Sequence, residues 1–163
     1  MPQIFTAVFE SPIGSLEIKA EEKGILEVNF VEKSGLMRPP GGAAADGPEV
    51  LRACLSQLEE YFRGKRTSFS LPLRLEGTAF QKKVWAALLR VPFGKTTTYG
   101  AIAAAVGNTR AGRAVGGANH RNPVSIIVPC HRVIGSDGRL TGYGGGLWRK
   151  EWLLEHEKKY ARD

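Results

Sequence analysis

The sequence predicts an α+β protein in two lobes: a small antiparallel sheet with one helix over residues 1–75, then a mostly helical lobe over residues 76–163. Three observations carry this. Alternating apolar segments are confined to the first third of the chain, two longer stretches space their apolar residues as helices do, and charge and residue size change together near Glu76.

Ile4 to Phe9, Ser15 to Lys19 and Ile25 to Val31 alternate between apolar and polar residues and are broken by Ser11-Pro12 and Lys23-Gly24, which reads as three short antiparallel strands. Arg38 to Pro48 (RPPGGAAADGP) is a loop rich in proline and glycine. From Glu49 to Phe62, the residues Val50, Leu51, Cys54, Leu55, Leu58, Tyr61 and Phe62 form one apolar stripe of a helix, with Cys54 inside it as a small core residue. An extended piece follows at Phe69 to Leu75. Thr78 then reads as the N-cap of a core helix carrying Phe80, Val84, Ala87, Leu88 and Val91, stopped by Pro92-Phe93-Gly94. Tyr99 to Val106, the turn Gly107-Asn108 and a helix from Thr109 to about Ala118 outline a helix-turn-helix, a motif whose second helix enters a DNA groove. That second helix combines Arg110 and Arg113 with the small residues Ala114 and Gly116, so a nucleic-acid backbone can approach it closely.

The charge supports a nucleic-acid partner. The chain holds 23 Lys and Arg against 16 Asp and Glu, a formal net charge of +7. Residues 1–75 hold 9 basic and 10 acidic side chains, whereas residues 76–163 hold 14 basic and 6 acidic. Confining the excess to one lobe suits a polyanion-binding surface, since Lys and Arg contacts to phosphate supply most of the affinity for nucleic acid. Acidic proteins and anionic lipid stay open on charge alone. Two widely separated cysteines, Cys54 and Cys130, suggest neither a disulfide framework nor a zinc site. Met1 to Glu10 lacks the pattern of a signal peptide and no apolar run is long enough to span a membrane, so a cytosolic location is expected, or a nuclear one in a eukaryote.

The segment from Ser125 to Ile134 presents a thiol, an imidazole and a guanidinium in succession at Cys130, His131 and Arg132 after an apolar run. Positive charge and a neighbouring base both favour the thiolate, the nucleophilic form of cysteine. Here the chain resembles a known family, the O6-alkylguanine-DNA alkyltransferases, also called methylated-DNA-protein-cysteine methyltransferases. The resemblance rests on IVPCHRVI at Ile127 to Ile134, GYGGGL at Gly142 to Leu147 and KEWLLEHE at Lys150 to Glu157. It extends upstream to VPFGK at Val91 to Lys95, Tyr99-Gly100, RAVGGA at Arg113 to Ala118, and Asn122-Pro123, so it covers residues 76–158 closely and the first lobe in outline.

The resemblance implies a ribonuclease-H-like first lobe and a monomeric repair protein acting on double-stranded DNA. It implies irreversible transfer of a methyl or other alkyl group from guanine O6, and from O4-alkylthymine, to Cys130. It makes His131 the base, through a water, Glu157 the carboxylate that orients it, and Asn122 a hinge. Tyr99 assists rotation of the nucleotide out of the duplex and donates to the guanine ring, and Arg113 fills the gap left in the base stack. Contact with the minor groove falls to Arg110, Arg113, Ala114, Gly116, Arg121 and Tyr99. Pro129, Val133, Tyr143, Gly144 and Gly145 line the base pocket. Gly144 departs from relatives that carry serine there, which removes one hydroxyl contact. The zinc ligands of animal relatives are missing, and neither metal nor cofactor is expected. A lesion sensor of the same fold would lack Cys130, a transcriptional regulator would need more side chains able to reach base edges, and a Cys-His hydrolase would not need the basic lobe.

Overall fold

The computed structural model describes residues 3–32 and 47–161. The chain divides into two compact units, Met1–Leu75 with Pro123–Ser125, and Glu76–Asn122 with Ile126–Asp163. The loop expected at Arg38 to Pro48 lies outside the described residues except for its last two. Among the described residues no helix is long and apolar enough to cross a membrane.

In the first unit the alternating segments form an antiparallel meander, β1 (Phe5–Ser11), β2 (Gly14–Glu21) and β3 (Gly24–Val31). Alternation assigns the two faces: Leu16, Ile18 and Ala20 of β2 are fully buried, and Ile18 lies between Ala7 and Val28 in the register of its neighbours. On the other face Lys19 reaches Glu17 and Glu27, exposed pairs that contribute little. The first turn is closed by Ser11, whose hydroxyl donates to the Gly14 carbonyl at 2.6 Å and accepts from the Ile13 amide, with Gly14 at φ 119°.

The stripe from Glu49 to Phe62 is helix α1 (Glu49–Phe62). It buries Val50, Leu51, Cys54, Leu58 and Tyr61, while Leu55 and Phe62 are half-buried. Buried Gln57 is the polar member of this face. Its side-chain amide donates to the Ser70 carbonyl at 3.1 Å and accepts from the Ser70 amide at 2.9 Å, pinning the following extended segment. That segment is no strand, but Leu73 bridges Ile25 in parallel and Val124 bridges Val28. Cys54 is inert by environment, because burial pushes its thiol up to about 12.

The second unit begins with α2 (Ala79–Leu88), started by a capping box: the Thr78 hydroxyl accepts from the Gln81 amide and the Gln81 side chain accepts from the Thr78 amide, both at 3.0 Å. The helix buries Val84, Trp85 and Leu88, whereas Phe80 and Ala87 of the expected stripe are half-buried. Trp85 is the residue the stripe lacked, and its indole N–H donates to the Ala118 carbonyl at 2.9 Å. A two-residue strand, β4 (Thr97–Thr98), runs straight into α3 (Tyr99–Ala105), whose first turn is capped by the Thr98 hydroxyl. Next comes α4 (Gly112–His120), which packs against α2 and α3.

The expected start of this helix at Thr109 is three residues early. Asn108 closes a local turn, its side chain accepting from the Arg110 amide and its carbonyl from the Ala111 amide, so Arg110 lies in the connection and not on α4. The remaining elements are a single 3-10 turn at Cys130–Arg132, β5 (Val133–Ile134) paired in parallel with β4, and α5 (Leu147–Tyr160), which packs against the 3-10 turn.

Replacing Thr78 by Ala removes the hydroxyl half of the capping box. The variant is expected to lose about 1 kcal/mol of stability, read as a lower midpoint in urea unfolding followed by circular dichroism.

Candidate active site

Cys130 is placed by the backbone on either side of it. Ile126, fully buried, sits at φ 73°, a conformation that β-branched residues rarely adopt. Two bonds hold the segment that follows: the Asn122 side chain donates to the Val128 carbonyl at 2.8 Å, and the Cys130 amide donates to the same carbonyl. Asn119 donates to the Cys130 carbonyl at 3.3 Å. The result is a tight turn that leaves Cys130 6% exposed and runs directly into β5.

Around this turn two charged or titratable side chains converge on one buried carboxylate. Glu157, fully buried on α5, accepts from His131 Nε2 at 2.6 Å and from Arg132 through both Nε at 2.8 Å and Nη2 at 3.0 Å. The oxygen that accepts from Arg132 Nε also accepts from the Gly94 amide at 3.4 Å. Gly94 has φ 81°, and a Cβ there would come within 2.6 Å of the Ala161 methyl, so glycine is required for this approach. Arg132 completes the connection by donating Nη1 to the Val91 carbonyl at 2.7 Å and placing its guanidinium over Phe93.

The electrostatics follow from these contacts. Burial opposes the charge on Glu157, yet His131 and Arg132 outweigh it and hold the carboxyl far below the usual carboxylate range. Because an ionised carboxylate accepts only, His131 carries its proton on Nε2, and Nδ1 is left with the lone pair of a base. Burial lowers the basicity of His131 more than Glu157 raises it, so the imidazole is neutral at neutral pH. For Cys130, burial pushes the thiol up, while the Asn122 side chain, the Lys150 charge and the turn backbone pull it down. Burial prevails. In the sequence, positive charge and a neighbouring base favour the thiolate; in the structure burial outweighs them, and Cys130 keeps its proton beside a neutral base.

The other expected site residues are distributed around this centre. The parallel pair β4–β5 sets Thr98 opposite Ile134, so Tyr99 begins α3 alongside the exit of the Cys130 turn. Its hydroxyl shares a 2.8 Å hydrogen bond with that of Thr141, and its ring lies 3.9 Å from where a Cβ on Gly116 would stand. Pro129 and Val133 are buried, Tyr143 and Gly145 are half-buried and Gly144 is exposed. Gly145 is further held through its carbonyl by Arg149 at 2.9 Å. Arg113 and Ala114 are exposed on α4, Gly116 is half-buried toward Tyr99, and Arg110 and Arg121 are exposed just before and after the helix. Sequence reasoning did not single out Thr141, Asn119 or Lys150. For Lys150 a signal existed, because Lys150, Leu153 and Glu157 recur at helical spacing and therefore share one face.

Two family models together span most of the chain, the 6-O-methylguanine DNA methyltransferase ribonuclease-like domain over residues 4–75 and the DNA binding domain of the same family over residues 79–159. The chain is 49% identical over 154 residues to a methylated-DNA–protein-cysteine methyltransferase of Methanosarcina acetivorans, covering 94% of this chain and 98% of that protein. It is 45% identical over 152 residues to the protein of that name from Mycobacterium tuberculosis, covering 93% and 91%. Among solved structures it resembles the Mycobacterium tuberculosis O6-methylguanine methyltransferase, with a TM-score of 0.84 and 42% identity over 98% of this chain and 96% of that one. It also resembles the Mycobacterium tuberculosis OGT in complex with DNA, with a TM-score of 0.82 and 45% identity over 94% and 92%. With both halves matched by the family's models and relatives aligned over nearly their whole length, this chain belongs to the 6-O-methylguanine DNA methyltransferase family.

Proposed function

We propose that this protein repairs alkylated DNA by moving the alkyl group from guanine O6 to the sulfur of Cys130, once per molecule. The observation that carries the reading is the buried cluster of Cys130, His131, Glu157 and Arg132, in the same unit as the exposed arginines and small residues of α4.

The alkyl group of O6-alkylguanine lies inside the duplex, and the acceptor thiol is almost fully buried, so the nucleotide has to be rotated out into the protein. The face of α4 that carries Arg113, Ala114 and Gly117, flanked by Arg110 and Arg121, suits docking in the minor groove, where phosphate contacts and close approach matter more than sequence. Arg113 enters the base stack as the nucleotide leaves, and Tyr99 assists the rotation. The base then meets Pro129, Val133, Tyr143, Gly144 and Gly145, with Asn122 holding the turn against it.

In the transfer the Cys130 proton passes to His131 Nδ1 through a water, and Glu157 stabilises the imidazolium that forms. The sulfur attacks the alkyl carbon; the new S–C bond replaces the C–O6 bond, and guanine leaves with the electron pair. A hydrogen bond from Tyr99 to the ring meets the charge where it develops. With glycine at position 144, the donors at that side of the pocket are backbone amides. The product is a thioether with no electrophilic carbonyl for water to attack, so the thiol is not regenerated. The same reading takes O4-alkylthymine as a second substrate and a monomer as the working form.

An oligonucleotide bearing radiolabelled O6-methylguanine should transfer one label per protein molecule, recovered on the peptide containing Cys130; repeated turnover or no transfer decides against the proposal. Cys130→Ala should abolish transfer and leave duplex binding, measured by fluorescence anisotropy, close to that of the unaltered protein.

The His131 imidazole titrates below its ordinary value of 6.5, so acidification removes the base only beneath that value. Single-turnover transfer rates should therefore hold from neutrality down to about pH 6.5 and then fall, whereas His131→Gln should lower the rate at neutral pH by about 100-fold or more. Arg113→Ala should slow transfer from duplex DNA more than from a single strand, where no base stack has to be filled.

A further inference from the structure

The buried face of α5 carries two opposite charges, and the cluster described above employs only one of them. Lys150 is fully buried, seven residues before Glu157 on the same helix face. Its ammonium donates to two backbone carbonyls, Val133 at 2.5 Å and Thr141 at 2.7 Å. No carboxylate among the described residues forms an ion pair with it, because Glu157 is taken up by His131 and Arg132.

A neutral donor would satisfy two carbonyls at far lower cost, since taking a charge out of water is expensive unless an opposite charge compensates it. Counting the charges buried here shows what can compensate it. Glu157 is balanced by Arg132, His131 is neutral, and Lys150 stands as one positive charge in excess while Cys130 keeps its proton. The thiolate of Cys130 is the anion that can balance it: burial pushes the lysine pKa down and the thiol pKa up, and against that burial each group favours the charge of the other. The same ammonium is also a tether. Val133 is the residue at which the Cys130 turn passes into β5, and Thr141 holds the Tyr99 hydroxyl.

We propose that Lys150 is a positioning residue for the transfer: it is the counter-charge of the Cys130 thiolate, and it fastens Thr141, with Tyr99 behind it, to the exit of the reactive turn. The consequence for repair rests on the alkyl-transfer reading, but the effect on the thiol does not need DNA. Lys150 on α5 is the ionisable group that acts on the thiol, with Asn122 as a neutral donor; His131 and Arg132 follow Cys130 on its own turn and are engaged by Glu157 of α5.

The test measures carboxamidomethylation of Cys130 by iodoacetamide across the neutral and alkaline range, by peptide mass, in the unaltered chain and in K150M, K150Q and K150R. Removing the charge in K150M and K150Q should raise the pH midpoint of Cys130 by about one unit or more, so that at a fixed neutral pH the reaction slows about tenfold. K150R, which keeps the charge, should stay near the original midpoint. Methyl transfer from an O6-methylguanine oligonucleotide should fall in K150Q by the same factor as the iodoacetamide reaction and further in K150M, which lacks the donors as well. Midpoints in K150M and K150Q that coincide with the original, in proteins with native circular dichroism, would overturn the proposal. If K150M does not fold, K150Q against K150R decides by the same criterion. A shifted midpoint in a chain that takes no methyl group from DNA would defeat the repair reading and leave the role of Lys150 at the thiol standing.

Discussion

The second unit depends on one buried anion. A carboxylate removed from water is tolerated only when donors replace the water, and Glu157 gathers four: His131 Nε2, Arg132 Nε and Nη2, and the Gly94 amide. These donors come from segments far apart in sequence, the connection after α2 and the reactive turn, and they meet on α5. Arg132 extends the junction by donating to the Val91 carbonyl. The carboxylate therefore settles two matters together. It fixes the path of the chain around Cys130, and it fixes which nitrogen of His131 holds the proton, leaving Nδ1 free to accept one. The chemistry proposed for Cys130 and the local architecture share the same bonds.

The contrast between the two cysteines shows what such surroundings do. Both are buried, and burial alone would make either thiol unreactive. Cys54 sits in an apolar helix stripe with nothing to offset burial, and its thiol is pushed up to about 12. Cys130 experiences the same penalty but faces the Asn122 amide, the Lys150 charge and the backbone of a 3-10 turn. A resting thiol that gains its charge only as a base takes the proton is protected from stray electrophiles and oxidants while retaining a route to the nucleophilic form. Exposure would give a faster thiol but a less selective one.

Much of this was legible in the sequence because it follows from period and composition. The strands of the first unit follow from alternation, α1 from a stripe that matches its observed ends, and the start of α2 from Thr78 as its N-cap. What sequence alone did not reveal depends on pairing between distant segments. The β4–β5 pair is two residues long on each side, too short to leave a periodic signal, yet it sets Tyr99 beside the reactive turn. Trp85 was left out of the expected stripe although it lies three residues before Leu88 on the same buried face, where its indole N–H is satisfied by the Ala118 carbonyl. The early start assigned to α4 came from ending the Gly107-Asn108 turn too soon, since Asn108 goes on to hold the amides of Arg110 and Ala111. The balance of charge at Cys130 was out of reach for a related reason: neighbouring cations are visible in a sequence, but the burial that outweighs them is not.

Under the proposed alkyl transfer, the distribution of side chains also accounts for how a small protein could be indifferent to DNA sequence and selective for damage. Reading bases directly requires side chains with paired donors and acceptors, such as Asn, Gln or Arg held against a groove edge. On the exposed face of α4 the residues are Arg113, Ala114, Gly117 and His120, with Arg121 next to it, so charge and close approach are available but few groups can report base identity. In that proposal discrimination is left to the interior, where the Cys130 thiol is 6% exposed and can be reached only by a group delivered into the protein. An unmodified guanine brought to the same place offers the sulfur no alkyl carbon, so the bond-forming step itself is the final criterion. Such a division needs a surface that binds any duplex weakly and a centre held rigidly enough to act on the rare base that qualifies. The four donors on Glu157 and the two carbonyls on Lys150 supply that rigidity from a single helix.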